Sequence, residues 1–545
     1  MLYNKLNTKK HTLAKKRTKK NRAGLTKKMN VKPWQAILGV SLVAVIGIVV
    51  IFVSNAAAPP RSVTEFGAIG DGVADDTTAI QTAIDTVSAS GTAANRSQEL
   101  TLPPGTYNIS KPLIMKSFVQ FRGTRGRSVI VNVAPNTPDG RNKMTHILLG
   151  VAHPWAFDER NGVDAQGRNQ VFTNMPVTQT SWAKDSTSLN LANSSDNAKL
   201  TVGEITCIRS ELGFKVGDYE QPDYVQFNKI KAINGSKIEF VDKALNAIPN
   251  PQICKVEGRS PFWSYVMGQE VPWQAAQWVE ISGITFRGGE AGLGGSLCYA
   301  CFVKQVDFEN IVTPMAMNAL VKNIFTDINA TFTGRAMEIK MASSQSSFRN
   351  INMRYIPKGC ANPSSCNLNE VWPVDIGERS VDIGFNNIKV DDAGSFRKVA
   401  LFSIGDARNV RLVNSTMTVK GGNNRNAVLE MRSNSHSDNS VQSFLANNFL
   451  IENNTFTLNE EVQQLAILGD KYAKDRPTLE SGFAIKNILF RKNKWSGTPT
   501  KTGIAYLARS QVTDWAVIDD VFNNVANRMV VDSTSTPPQE KGVQF

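Results

Sequence analysis

Five short segments hold the residues that could do chemistry. "MAMN" (315–318), "MEIK" (337–340), "VDIG" (374–377), "FSIG" (402–405) and "LEMR" (429–432) each carry apolar residues in first and third place, or nearly so. Strand side chains alternate between faces, so the second and fourth residues point together away from a core. Aligned as stacked rungs, the second column reads Ala316, Glu338, Asp375, Ser403, Glu430, and the fourth reads Asn318, Lys340, Gly377, Gly405, Arg432. In such a stack Glu338 and Asp375 are rung neighbours, about 5 Å apart at the backbone. Two carboxylates that close push one pKa up. One then serves as a general acid, the other as a base or nucleophile. Asp375 and Glu430, two rungs apart at about 9–10 Å, fall near the upper end for inverting glycosidases, whereas about 5 Å suits retaining ones. Lys340 and Arg432 flank the row. Their chemistry is to hold a uronate carboxylate or, in a lyase, to stabilise charge and take the proton α to it.

The candidate catalytic residues are therefore Glu338, Asp375, Lys340 and Glu430. Arg335, in "GRAMEIK", joins Arg432, Asn318 and Ser403 as candidate substrate-binding residues. Trp263 and Trp273, in "FWSYVMGQEVPWQAAQW", add candidate platforms for sugar rings, although indoles also pack loops against a solenoid flank. His146 and His153 lie near Trp155 without a matching carboxylate pattern, so no metal site is read from them. A requirement for Ca²⁺ would mark a lyase. Exposed rungs carry mixed charges without any function as well, so hydrolysis, β-elimination, non-catalytic binding of a glycan or partner, and epimerisation or transfer on a polymer all stay open.

A row of this kind needs a stack to hold it. From residue 279 onward "VEISGITFRGG", "VKQVDFENI", "VKNIFTDI", "FRNINMRYI", "VDIGFNNIKV", "VRLVNSTMTV", "FLIENNTFTL" and "IKNILFRKNKW" recur at solenoid spacing. Their asparagines suit tight turns and ladders. Upstream, "DDTTAIQTAIDTVSAS" has apolar residues at Ala79, Ile80, Ala83, Ile84 and Val87, a helical period, with Asp75 or Asp76 at the N-cap. This predicts a helix covering the open end of the stack. The aspartates Asp71, Asp75 and Asp76 then read as architecture rather than as a metal cluster. Residues 185–256 read as a small inserted β-subdomain.

"FGAIGDGVADDTTAIQTAI", "LPPGTYNI" and "LIMKSFVQFRGTRG" resemble the start of the pectate lyase superfamily domain, in its rhamnogalacturonase/epimerase-like group. The likeness is specific from Val63 to Gly126. It implies an all-β, right-handed parallel β-helix and a polysaccharide ligand, neutral or acidic. The family's chemistry does not follow. Related polygalacturonases carry NTD, DD, GHG and RxK, whereas this chain has only "VDD" (390–392), with Asp391 and Asp392 read as a turn. "MEIK" stands roughly where RxK belongs, with Glu338 in place of the arginine. The wIDH and DPHE signatures are also missing.

Charge and cysteines set the expected location. Of the net +14, residues 1–33 supply twelve Lys/Arg and no acid, which leaves about +2 for the rest. The basic character belongs to a tail, and no nucleic-acid partner is expected. Ala36 to Val53 are eighteen positions without a charge, close to the minimum for a transmembrane helix. The expected order is a basic cytoplasmic tail (1–33), a signal-anchor (34–54) and a linker (55–62). The β-helix follows (63–184), with the insertion (185–256), the main β-helix (257–525) and a C-terminal tail (526–545). The positive flank puts the β-helix outside the membrane. All six cysteines fall on that side. Cys207 with Cys254, "CYAC" and "CANPSSC" are the expected disulfides.

Overall fold

A computed structural model describes residues 59–91, 98–135, 144–150 and 171–260 with short breaks. From 271 to 544 it describes the solenoid strands, with breaks chiefly at 357–373, 393–401, 420–427, 433–446, 469–484 and 498–503. The basic tail and the apolar run Ala36–Val53 lie outside the described residues. No helix among the described residues is long and apolar enough to cross a membrane.

The architecture is a parallel β-helix. One 12-stranded parallel sheet runs from Leu113–Met115 through Thr145–Leu149, Ala291–Tyr299, Thr313–Val321, Met337–Lys340, Val374–Ile376, Phe402–Gly405 and Leu429–Arg432 to Asn527–Val531. A 23-stranded network, also parallel, forms the rest of each coil. The recurrent segments of the sequence are its strands, among them Ile324–Phe332, Ser347–Tyr355 and Gly384–Asp392. Their alternate apolar residues fill one continuous core. Like residues stack on like. Phe325, Phe348 and Phe385 lie face to face with centroids 4.8 and 5.0 Å apart.

The corners explain the asparagines. Asn350, Asn387, Asn409, Asn448 and Asn487 all have φ between 52° and 61°, a left-handed turn that Asn tolerates better than other non-glycine residues. Each amide then donates to the rung before it. Asn487 donates to Asn448, Asn448 to Asn409, and Asn409 to the Asp382 carboxylate, at 2.9, 2.8 and 2.7 Å. A second, buried ladder runs through Asn454 and Asn493 to Asp520.

The helix Thr77–Ser90 packs Ile80, Ala83, Ile84 and Val87 against the first coils. The expected cap differs in detail. Asp76 occupies the N-cap position, but its carboxylate makes no cap bond. It turns back to accept from the backbone N–H groups of Ile69 (2.6 Å) and Gly70 (3.2 Å). Asp75 instead accepts from Thr77 N (3.0 Å). Asp71 accepts from Val73 N and Ala74 N at 2.8 Å each.

A six-stranded antiparallel sheet lies in sequence between the early coils and the later ones, which stack directly on each other. Val171–Pro176, ahead of residue 185, is its outer strand and pairs with Gln252–Glu257. One face has its own core around Trp182, Ile208, Ile230 and Phe240. The other face, with the Cys207–Cys254 disulfide, rests on Leu297, Tyr299, Ala319, Val321 and Ala342 of the solenoid. Polar contacts fix it there: Tyr299 Oη donates to Asp242 (2.8 Å), and Lys322 pairs with the same carboxylate. Cys298 and Cys301 of "CYAC" form the second disulfide, whereas Cys360 and Cys366 lie outside the described residues.

Candidate functional site

The aligned segments stand in register. Ala316 pairs with Glu338, Glu338 with Asp375, Asp375 with Ser403, and Ser403 with Glu430. In the fourth column Asn318 pairs with Lys340, and Gly405 with Arg432. The flanking residues Met337, Ile339, Val374, Ile376, Phe402, Ile404, Leu429 and Met431 all lie in the core. The row therefore faces away from the core, on the opposite side of the same strands.

Its electrostatics differ from the expectation of a carboxylate pair with one raised pKa. Lys340 stands two residues from Glu338 on the same face. Its Nζ lies 3.0 Å from Glu338 Oε1 and 3.2 Å from Asp375 Oδ2. Arg335 closes the group, 3.0 Å from Glu338 Oε2. Burial pushes the Glu338 carboxyl up, but the charges of Lys340 and Arg335 and their hydrogen bonds outweigh it. The group is held below the usual carboxylate value. Glu338 is thus an ionised residue at neutral pH and does not supply the acid.

The deeper part of the row has another character. Asp375 is 2% exposed, Ser403 0% and Glu430 5%. Asp375 Oδ2 meets the Lys340 ammonium but accepts no hydrogen bond, and Ser403 Oγ has no hydrogen-bond partner. Leaving such a group unsatisfied costs about 1–3 kcal/mol. Beside them the fourth column is bare, because Gly377 and Gly405 carry no side chain. A Cβ on Gly377 would come within 3.0 Å of the Gly405 carbonyl oxygen. The buried part of the row is thus a carboxylate, a hydroxyl and a second carboxylate on successive rungs, with an ammonium at one end. The antiparallel subdomain rests just beyond it, on Ala342 and the ends of the neighbouring strands.

Other expected residues fall elsewhere. Trp263, Trp273, Trp155 and His153 lie outside the described residues, and Arg432 is placed by its backbone register alone. His146 is fully buried, its ring nitrogens 2.9 Å from the Ala291 carbonyl oxygen and 3.1 Å from that of Arg287. It holds two coils together. Asp391 and Asp392 are not a turn. They end the strand Gly384–Asp392, where pairing to Arg354 and Tyr355 on one side and Thr418 and Val419 on the other keeps the backbone extended. Sequence reading missed Ser296, which pairs with Asn318 and carries another buried hydroxyl without a hydrogen bond. Its glycine-rich strand, "AGLGGSLCY", hides the alternation that exposed the other rungs.

A family model described as rhamnogalacturonase A/epimerase, pectate lyase-like, matches residues 60–232. A probable glucan endo-1,3-β-glucosidase of Arthroderma benhamiae is 39% identical over 80 residues, which are 14% of this chain and 9% of that protein. The matched segment thus spans under a tenth of that relative. Among solved structures, the mannuronan C-5 epimerase A-module of Azotobacter vinelandii aligns over 89% of this chain and 99% of its own, at 12% identity and a TM-score of 0.44. The tailspike of Pseudomonas phage phi297 aligns over 90% and 81%, at 11% identity and a TM-score of 0.47. Over residues 60–232, well past the resemblance seen at Val63 to Gly126, the chain is similar to the rhamnogalacturonase A/epimerase, pectate lyase-like family, and its described coils form a parallel β-helix.

Proposed function

We propose that the protein binds an extended polysaccharide along the sheet face carrying the row, and hydrolyses it there with inversion at the anomeric carbon. One observation carries this reading: Ser403 Oγ is buried without a hydrogen bond on the rung between two buried carboxylates, and the oxygen of Asp375 that meets the Lys340 ammonium accepts no hydrogen bond either. Buried polar atoms left in that state call for a ligand or water to complete them. Asp375 acts as the base and Glu430 as the acid, with the two-rung spacing near the upper end of the inverting range, about 9–10 Å. Glu338 and Lys340 position Asp375. The similarity to a probable glucan endo-1,3-β-glucosidase supports a carbohydrate ligand. Elimination is disfavoured, because an ammonium shared by two carboxylates is a poor proton acceptor.

The second reading is a glycan-binding surface without turnover, favoured by the missing NTD and GHG motifs. We also infer that the apolar run Ala36–Val53 anchors the chain in a membrane, with a right-handed β-helix outside it. Two disulfides in the described residues accord with an oxidising compartment.

The test incubates the full chain with a panel of neutral and acidic polysaccharides, with and without Ca²⁺. New reducing ends without ultraviolet absorbance support hydrolysis. Absorbance from an unsaturated product, especially one dependent on Ca²⁺, replaces it with a lyase. Retention of a polymer without new ends moves the protein to the binding reading.

A further inference from the structure

We propose that Ser403 is the residue that seats the attacking water, between Asp375 and Glu430. The inference rests on the hydrolytic reading above and gives it an atom-level device. Three features meet at this rung. The register puts Ser403 directly between the two carboxylates, one rung from each. At about 4.8 Å per rung, a serine there leaves room that a longer side chain would fill. Its hydroxyl is fully buried and makes no hydrogen bond, and the neighbouring Asp375 Oδ2 accepts none either. The unpartnered Ser403 hydroxyl and the Asp375 carboxylate one rung away, whose Oδ2 otherwise meets only the Lys340 ammonium at 3.2 Å, offer a water the two polar partners that are the fewest it needs.

The step balances as follows. The water held by Ser403 gives one proton to Asp375 while its oxygen bonds to the anomeric carbon. The bond from that carbon to the leaving oxygen breaks, its electron pair stays on that oxygen, and Glu430 supplies the proton. The new anomeric hydroxyl keeps the water's second proton. Asp375 then releases its proton to solvent and Glu430 regains one. Ser403 touches only the water, so its role is positioning.

An isosteric pair isolates the hydroxyl. Ser403→Thr and Ser403→Val have the same shape, and both sit well in a strand. They are compared in the full chain with Asp375→Asn as reference. The measurements are kcat and KM on whichever polymer of the panel is cleaved, the anomer first released, and the thermal midpoint. We expect the wild type to release the inverted anomer. Ser403→Val should lose about 100-fold or more in kcat and Ser403→Thr about tenfold or less, with KM and midpoint similar in both. Equal kcat in the Thr and Val variants overturns the seat while an inactive Asp375→Asn leaves the hydrolytic reading standing. Release of the retained anomer also overturns the seat. An active Asp375→Asn, or a panel with no cleavage at all, overturns the hydrolytic reading and the seat with it.

Discussion

Two clusters of carboxylates in this chain look alike in sequence and differ in how their oxygens are used. At the N-terminus Asp71, Asp75 and Asp76 spend their oxygens on the chain's own donors, chiefly the backbone N–H groups of residues 69 to 77. The loop and the helix start depend on them. In the row, the Asp375 oxygen that meets the Lys340 ammonium accepts no hydrogen bond, and the serine on the next rung is buried without one. Proximity of carboxylates is therefore a poor guide to chemistry. What separates architecture from a site here is whether the backbone has already consumed the acceptors.

The sharpest test of that contrast exchanges one aspartate from each cluster. Asp375→Asn is expected to lower turnover by about 10²–10⁴-fold while the polymer is still retained. The check is initial rate against retention on the cleaved polymer, and turnover near wild type would end the distinction. Asp76→Ala should do the reverse. It leaves two backbone donors of Ile69 and Gly70 without acceptors and should lower stability by about 1–3 kcal/mol in urea unfolding, with kcat unchanged.

Acid titration probes the other half of the row. Glu338 has a folded pKa below its unfolded value of about 4.3, so its stabilising share is complete above that pH. It is lost as pH falls through the folded value. Glu338→Gln should therefore give a shallower fall of the thermal midpoint below about pH 4.3 than the wild type shows. An unchanged acid limb would mean that Lys340 and Arg335 do not hold the carboxylate as the geometry indicates. The smallest effect is expected from Asn448→Ala, which interrupts an exposed ladder between Asn409 and Asn487. The cost is about 1 kcal/mol, read as a shift in the urea midpoint, with no effect on turnover.

Much of this was legible in the chain, for identifiable reasons. Alternation in "MEIK", "VDIG", "FSIG" and "LEMR" sets which residues face away from the core, and coil lengths of 22 to 37 residues leave one sensible register. The corner asparagines announced the ladders. Other features depend on contacts that no single strand contains. Burial of Asp375 and Ser403 is a property of the assembled face. The sign of the Glu338 shift comes from Lys340 and Arg335 both closing on its carboxylate, against the burial that pushes it up. The extended backbone at Asp391 follows from partners on both sides, which outweigh the turn preference of aspartate. Val171–Pro176 joins the antiparallel sheet only because Gln252–Glu257, some eighty residues away, offers it an edge.

The seam where the subdomain enters has a consequence for how such chains diversify. Arg122 and Glu280 form an ion pair although 158 positions separate them, because the coil before the insertion stacks directly on the coil after it. The inserted sheet has its own core, and its two ends leave from adjacent rungs. Doubling the length of such an excursion adds only about 0.6 kcal/mol of closure entropy. The seam thus works as a port. A different module could be spliced in there without shifting the register of the rungs downstream, and one unchanged row of side chains could come to face a differently shaped wall.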